Sequence, residues 1–332
     1  MFNTIYIEEQ VADHPRTREL CARFPQAARV SCRRYGEVFN PGAQNFRLQK
    51  QKPALILAGK HRHRVLETPA GYGIGGSTNY YFSHMLNCLY DCRYCFLQGM
   101  YRSAHHVLYV NYEDFGSDID HTLEDRNGAA CWFFSGYDCD SLALEPISGF
   151  TQHFLPFFAD RPTAHLELRT KSTQIRSLLH SEPLPNVVIA FSFTPGEMHR
   201  ALEHRVPTVE RRLDAMVQLQ QAGWLTGLRF DPLIYQDNYR EQYRRLFRQV
   251  FERLDAGQLH SVSLGTFRLP RGYFKKIVQL YPDEPLFAGA FADSCGMVSY
   301  PPELEQELNA FCTAELLRYI PERLLFPCSL AA

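Results

Sequence analysis

The 332-residue chain carries ten cysteines, and three of them fall within eight residues, in Cys88-Leu-Tyr-Asp-Cys92-Arg-Tyr-Cys95. Thiolates at C-x3-C-x2-C spacing can each take one iron of a cubane cluster, which wants four ligands, so the fourth iron is left open for a small molecule. The same cysteines with His84 would instead make a Cys3His set that zinc accepts. Structural zinc sites usually present two separated ligand pairs, so the compact triplet favours the cluster. Cys21, Cys32, Cys131, Cys139, Cys295, Cys312 and Cys328 are irregularly spaced and read singly as small buried hydrophobes. Ten thiols are too few for a disulfide scaffold of this size, which points to metal chemistry in a reducing compartment.

Such a loop needs a frame. From about Asn79 apolar runs alternate with helical stretches: Tyr80 to Ser83, Cys131 to Ser135, His165 to Arg169, Val187 to Phe193, Leu225 to Phe230 and Ser261 to Leu264. Between them, Tyr239, Tyr243, Leu246, Phe247, Val250, Phe251 and Leu254 keep helical period. A second stripe runs through Val209, Leu213, Met216 and Val217, with Pro207 near its start and Gly223 just past its end. Six βα units in a row predict a parallel sheet with its helices outside and its functional loops at the strand C-terminal ends. The expected fold is α/β, a partial (βα)6 barrel of TIM type over residues 76–285. A basic N-terminal extension, 1–75, and an acidic C-terminal segment packed on the core, 286–332, flank it.

The triplet after the first strand of a six-unit βα barrel resembles the radical S-adenosylmethionine (SAM) superfamily. More narrowly, Cys88 to Gln98, Val110-Asn111, Thr170-Lys171 and Phe191-Ser192 resemble the spore photoproduct lyase family, over roughly residues 75 to 285. The resemblance implies a [4Fe-4S] cluster on Cys88, Cys92 and Cys95, with SAM chelating the open iron. It implies reductive cleavage of SAM to a 5'-deoxyadenosyl radical that abstracts hydrogen from a thymine-dimer lesion in damaged DNA, and an electron donor such as flavodoxin or ferredoxin. The positions matching the family's SAM contacts are Tyr94, Lys171 and Ser192. An ammonium for a carboxylate and a hydroxyl for a ribose, both at strand ends, suit those roles.

Two positions depart from the family. Its lyases return a hydrogen atom to the product through a cysteine just after the second strand, helped by a tyrosine immediately after the third cluster cysteine. Phe96 stands at the tyrosine position and Tyr137 at the cysteine position, so Cys139 and Tyr137 are the candidate donors; a reaction needing no donor there is the alternative. Arg268 and Arg271 follow the last core strand, where the family is expected to grip nucleic acid. Arg229 and Asp231 flank a strand end, for substrate contact or an ion pair. Gly71-Tyr-Gly73-Ile-Gly75-Gly76 matches a dinucleotide fingerprint in spacing only, since it precedes a strand and not a helix. It reads as a turn feeding the first core strand.

The overall balance of 35 Lys+Arg against 36 Asp+Glu excludes a uniformly basic nucleic-acid coat, and 45% hydrophobic residues exclude a disordered chain. Locally, residues 28–64 carry nine Lys/Arg against Glu37, a footprint suited to phosphate; the segment from Pro282 onward carries eight acids against two Arg and would be a solvated face or a partner for the basic arm. No secretory signal pattern opens the chain and no apolar run approaches the roughly 18 residues that span a bilayer, so the expectation is a cytoplasmic protein with no membrane contact.

Overall fold

The computed structural model describes residues 2–69 and 71–328. Six strands run parallel and adjacent in chain order: Asn79–Phe82, Cys131–Ser135, Ala164–Thr170, Val187–Ser192, Leu225–Leu233 and Leu259–Thr266. Val65–Glu67 adds antiparallel to the first, and Leu325–Pro327 adds parallel to the sixth, so the sheet stays an open partial barrel. The expected (βα)6 architecture is what the chain adopts. Parallel strands covered on both faces read as unbroken apolar runs, and Val187, Ile189, Ala190 and Phe191 are indeed fully buried. The glycine-rich stretch is the turn between Val65–Glu67 and the first core strand, not a nucleotide loop.

Outside the sheet, the helix Val209–Gln221 starts where the Thr208 side chain accepts from the Arg211 amide at 3.3 Å. It stops before Gly223, whose φ of 91° suits glycine. The helix Tyr239–Phe251 buries Tyr243, Phe247 and Val250 along the expected stripe; Leu254, one turn beyond, is buried from the following loop.

The N-terminal region builds a second sheet, in which Thr4–Glu8, Ala28–Cys32 and Leu55–Ala58 run parallel and join His106–Tyr109 and Met85–Leu86. Six of the nine basic residues of 28–64 are exposed: Arg29, Arg33, Arg34, Arg47, Lys52 and Arg62. Lys50 is buried, and Arg64 pairs with Asp118 at 2.7 Å. The C-terminal acids do not serve as partners for this arm among the described residues. The helix Pro302–Leu316 packs on Tyr239–Phe251, so Glu307 meets Arg240 at 2.7 Å and Glu315 meets Arg244 at 2.9 Å. No helix of the described residues is long and apolar enough to cross a membrane.

Burial also sets an acid limit on the fold. Desolvation pulls His84 and His106 down to about 3 and His260 to about 4. Because these folded values lie below the unfolded value of about 6.5, the unfolded chain binds more protons as pH falls. The stability tied to neutral histidine is therefore whole above pH ~6.5 and is lost between there and about 4 for His260 and about 3 for His84 and His106. Urea unfolding at pH 7.5, 6.5 and 5.5 should show the unfolding free energy falling by up to about 1.4 kcal/mol per pH unit for each histidine. A flat profile would contradict the burial of these rings.

Candidate active site

The cysteine loop leaves the first core strand and closes over the C-terminal ends of the sheet. Asp91–Cys92 pairs antiparallel with Glu203–His204, and the Arg93 amide donates to the Leu202 carbonyl at 2.9 Å. Buried Gln98 donates to Asp91 at 2.9 Å and to the Cys92 carbonyl at 3.3 Å, while Lys50 Nζ donates to the Tyr90 carbonyl at 3.2 Å. The short helix Leu97–Met100 then crosses the helix Arg271–Leu280 so closely that a Cβ on Gly99 would sit 2.5 Å from the Tyr273 carbonyl oxygen. Only glycine permits that approach.

The loop and the strand ends enclose a cavity of about 480 Å³. Cys88, Cys92 and Cys95 line it, together with Tyr94, Lys171, Ser192, Tyr137, Cys139 and Arg268. Nine of the ten candidate residues thus share one cavity. Arg271 does not: it is exposed at the start of its helix and binds Asp293 at 2.8 Å.

The donor set fits an iron–sulfur cluster. Burial pushes the Cys88 thiol up to about 12 and raises Cys92 and Cys95, so each needs a cation to hold it as thiolate. The Tyr90 amide points at Cys88 Sγ from 3.4 Å, and Lys50 and Lys171 favour the ionised sulfurs. A single zinc ion fits worse. His84 stacks on Phe150 with ring centroids 4.2 Å apart, and no three His, Cys, Asp or Glu side chains among the described residues surround one ion site. In a cubane each cysteine serves a separate iron and no such convergence is needed.

One buried carboxylate joins the three residues matched to SAM. Glu203 Oε2 accepts from Arg212 and faces His199 Nδ1, each at 2.8 Å, and Glu203 Oε1 accepts from the Tyr94 hydroxyl. Lys171 Nζ lies 3.9 Å from Glu203 and 5.6 Å from the centre of the Tyr94 ring. Arg212, fully buried, also donates to the Ser192 carbonyl at 2.6 Å. The guanidinium holds Glu203 ionised, well below the usual carboxylate range, despite complete burial. Spacing offered no route to this network, since Tyr94 and Glu203 are 109 residues apart.

Asp140 shapes the loop after the second core strand. Its Oδ1 accepts from the Leu142 and Ala143 amides and the Thr170 hydroxyl, and its Oδ2 from the Lys171 amide at 2.6 Å. This clamp fixes the strand end that carries Lys171. Cys139 consequently joins the apolar cluster containing Met85, Leu108 and Val110 and is only 6% exposed. Tyr137 is half-buried, with its ring centroid 4.4 Å from Tyr81 and 5.4 Å from Phe96. A phenol therefore lies against the Phe96 ring.

Arg229 makes the ion pair and not the substrate contact: fully buried, it binds Glu167 at 2.7 and 3.2 Å. Asp231 reaches the cavity, as do Arg169 and Cys328, which sequence reasoning left out. The available signal was a charged Glu167 and Arg169 inside a strand of apolar residues, two apart and so on one face.

Three comparisons bear on this site. The spore photoproduct lyase family model matches residues 1–286. The spore photoproduct lyase of Clostridium acetobutylicum is 21% identical over 289 residues, covering 86% of this chain and 84% of that protein. That of Bacillus subtilis is 21% identical over 278 residues, covering 82% and 78%. In fold, a spore photoproduct lyase double mutant with bound AdoMet and dinucleoside spore photoproduct superposes with a TM-score of 0.85 at 18% identity, covering 100% of this chain and 99% of the other. A spore photoproduct lyase complexed with dinucleoside spore photoproduct superposes at 0.84 with the same coverage. With a family match across most of its length and the cysteine loop at the mouth of a partial barrel, the chain belongs to the spore photoproduct lyase family of radical SAM enzymes.

Proposed function

We propose that this protein repairs a thymine-dimer lesion of the spore photoproduct type in DNA. The observation that carries the reading is the single cavity shared by three cluster-type cysteines, the Tyr94–Lys171–Ser192 set and the strand ends. When bound, the cluster and SAM together supply a 5'-deoxyadenosyl radical able to abstract a hydrogen atom from the lesion. Cys88, Cys92 and Cys95 would hold the cluster. Lys171 offers its ammonium to the carboxylate of SAM, while Glu203 and Arg212 keep Lys171, Tyr94 and the Ser192 backbone in place. The buried walls exclude water from the reacting carbon.

A repaired base must leave with a hydrogen atom returned to it. Tyr137 and Cys139 are the candidate donors, and the geometry favours Tyr137, which is half-buried where Cys139 is buried and whose ring centroid lies 5.4 Å from that of Phe96. The lesion must leave the base stack to reach them, and Arg268 on the cavity wall, with exposed Arg271 and the basic arm outside it, can hold the flanking phosphates. An electron carrier such as flavodoxin or ferredoxin would reduce the cluster.

The test is anaerobic incubation of reconstituted enzyme, SAM and reductant with DNA containing spore photoproduct. Restored thymine, dependent on SAM, is the expected result. Formation of 5'-deoxyadenosine without any loss of the lesion would leave the radical chemistry intact and assign the enzyme another substrate.

A further inference from the structure

Where Arg169, Asp231 and Arg268 line the cavity, with Glu167 and Arg229 buried behind them, three guanidiniums meet two carboxylates. Glu167 is saturated by Arg229, which grips both its oxygens and also donates to the Ser261 carbonyl and hydroxyl at 3.1 and 2.9 Å. Asp231 faces Arg268 at 3.9 Å, and Arg268 donates to the Thr266 carbonyl at 3.0 Å. Arg169 remains. Its Nε makes one long bond, 3.3 Å, to the Glu167 oxygen that Arg229 already shares. Among the described residues its two terminal nitrogens make no hydrogen bond. Its guanidinium lies 5.3 Å from the centre of the Tyr72 ring and lines the cavity.

A guanidinium is charged at any accessible pH, and a partly desolvated charge that must share its counterion with a second cation is costly. Three cations against two anions leave one positive charge facing the space where substrate must enter. Among the described residues no neighbouring group supplies a third anion: burial raises both the Tyr72 hydroxyl and the Cys328 thiol, keeping them neutral. A guanidinium with both terminal nitrogens free suits a bidentate contact to phosphate.

We propose that Arg169 forms, with Glu167 and Arg229 behind it, an anion subsite for the phosphodiester that links the two nucleosides of the lesion. The proposal rests on the lesion-repair reading above. Arg169 is then a substrate-positioning residue that separates a lesion in DNA from the same two bases without their phosphate.

The experiment compares kcat/KM of the reconstituted enzyme for spore photoproduct dinucleotide, with its phosphodiester, and for the dinucleoside lacking it. Wild type should favour the dinucleotide by about tenfold to a hundredfold, the worth of a charge-assisted hydrogen bond. In Arg169→Gln that ratio should fall close to one, through KM for the dinucleotide, and Arg169→Lys should restore part of it. Equal use of both compounds by wild type would overturn the subsite while leaving lesion repair standing. So would a loss in Arg169→Gln that is the same for both compounds, or one that appears as a raised KM for SAM. Turnover of neither compound by wild type would overturn the repair reading and the subsite with it.

Discussion

Replacing Cys92 by alanine is expected to remove iron and activity together. Cys92 is the middle thiol of the loop and its position is set by three independent contacts: strand pairing to Glu203, the Gln98 amide on its carbonyl, and the turn in which the Cys95 amide donates to that carbonyl. These contacts use the backbone, so they survive loss of the sulfur and the loop should keep its course. What disappears is one of three protein ligands of a cluster that wants four. Anaerobically reconstituted Cys92→Ala should therefore bind little iron and sulfide and form 5'-deoxyadenosine at least about a thousandfold more slowly, a difference of roughly 4 kcal/mol in barrier. Its far-ultraviolet circular dichroism should match wild type. A variant that holds the full complement of iron and still cleaves SAM would contradict the assignment.

The second large effect concerns Glu203. Neither Glu203 nor Arg212 exposes its side chain, and they meet at 2.8 Å. Taking away one partner strands a buried charge, which costs about 3–5 kcal/mol. Glu203→Ala should accordingly unfold several degrees lower in temperature, and the damage should reach the site, because Tyr94 loses its acceptor and Lys171 its nearest anion. A raised KM for SAM is expected beside the lower Tm. Glu203→Gln, which keeps the acceptor but not the charge, should fall between. In the double variant Glu203→Ala with Arg212→Met the stability loss should be smaller than the sum of the single losses, since no lone charge is left. A Glu203→Ala protein with unchanged Tm and unchanged KM for SAM would show that the network does not support the site.

What could be read beforehand follows the range of the signals. The six core strands announce themselves because each is a local apolar run, and the cysteine triplet because its three ligands lie on one turn of chain. The N-terminal sheet was harder. Its strand Ala28–Cys32 is exposed at four of its five positions, so it lacks the alternation that marks a half-buried strand. The Glu203 network and the Glu167–Arg229 pair were hidden for another reason, since they join residues 109 and 62 apart that only the folded sheet makes neighbours. Arg271 shows the limit of sequence proximity: it sits three residues from Arg268, yet the start of a helix turns it outward to Asp293 while Arg268 lines the cavity.

The loop after the second core strand separates Cys139 from Tyr137. Phe96 cannot give a hydroxyl hydrogen, and Asp140 draws the loop so that Cys139 packs towards Met85, leaving Tyr137 between Tyr81 and Phe96 at the cavity wall.

The most direct measurement is metal and sulfide analysis of the anaerobically reconstituted wild-type protein, followed by reduction in the presence of SAM. About four iron and four sulfide per chain, with release of 5'-deoxyadenosine, is the result expected from three cysteines that each hold one iron of a cubane. Zinc near one equivalent with no sulfide, or a loaded cluster that leaves SAM intact, would contradict it.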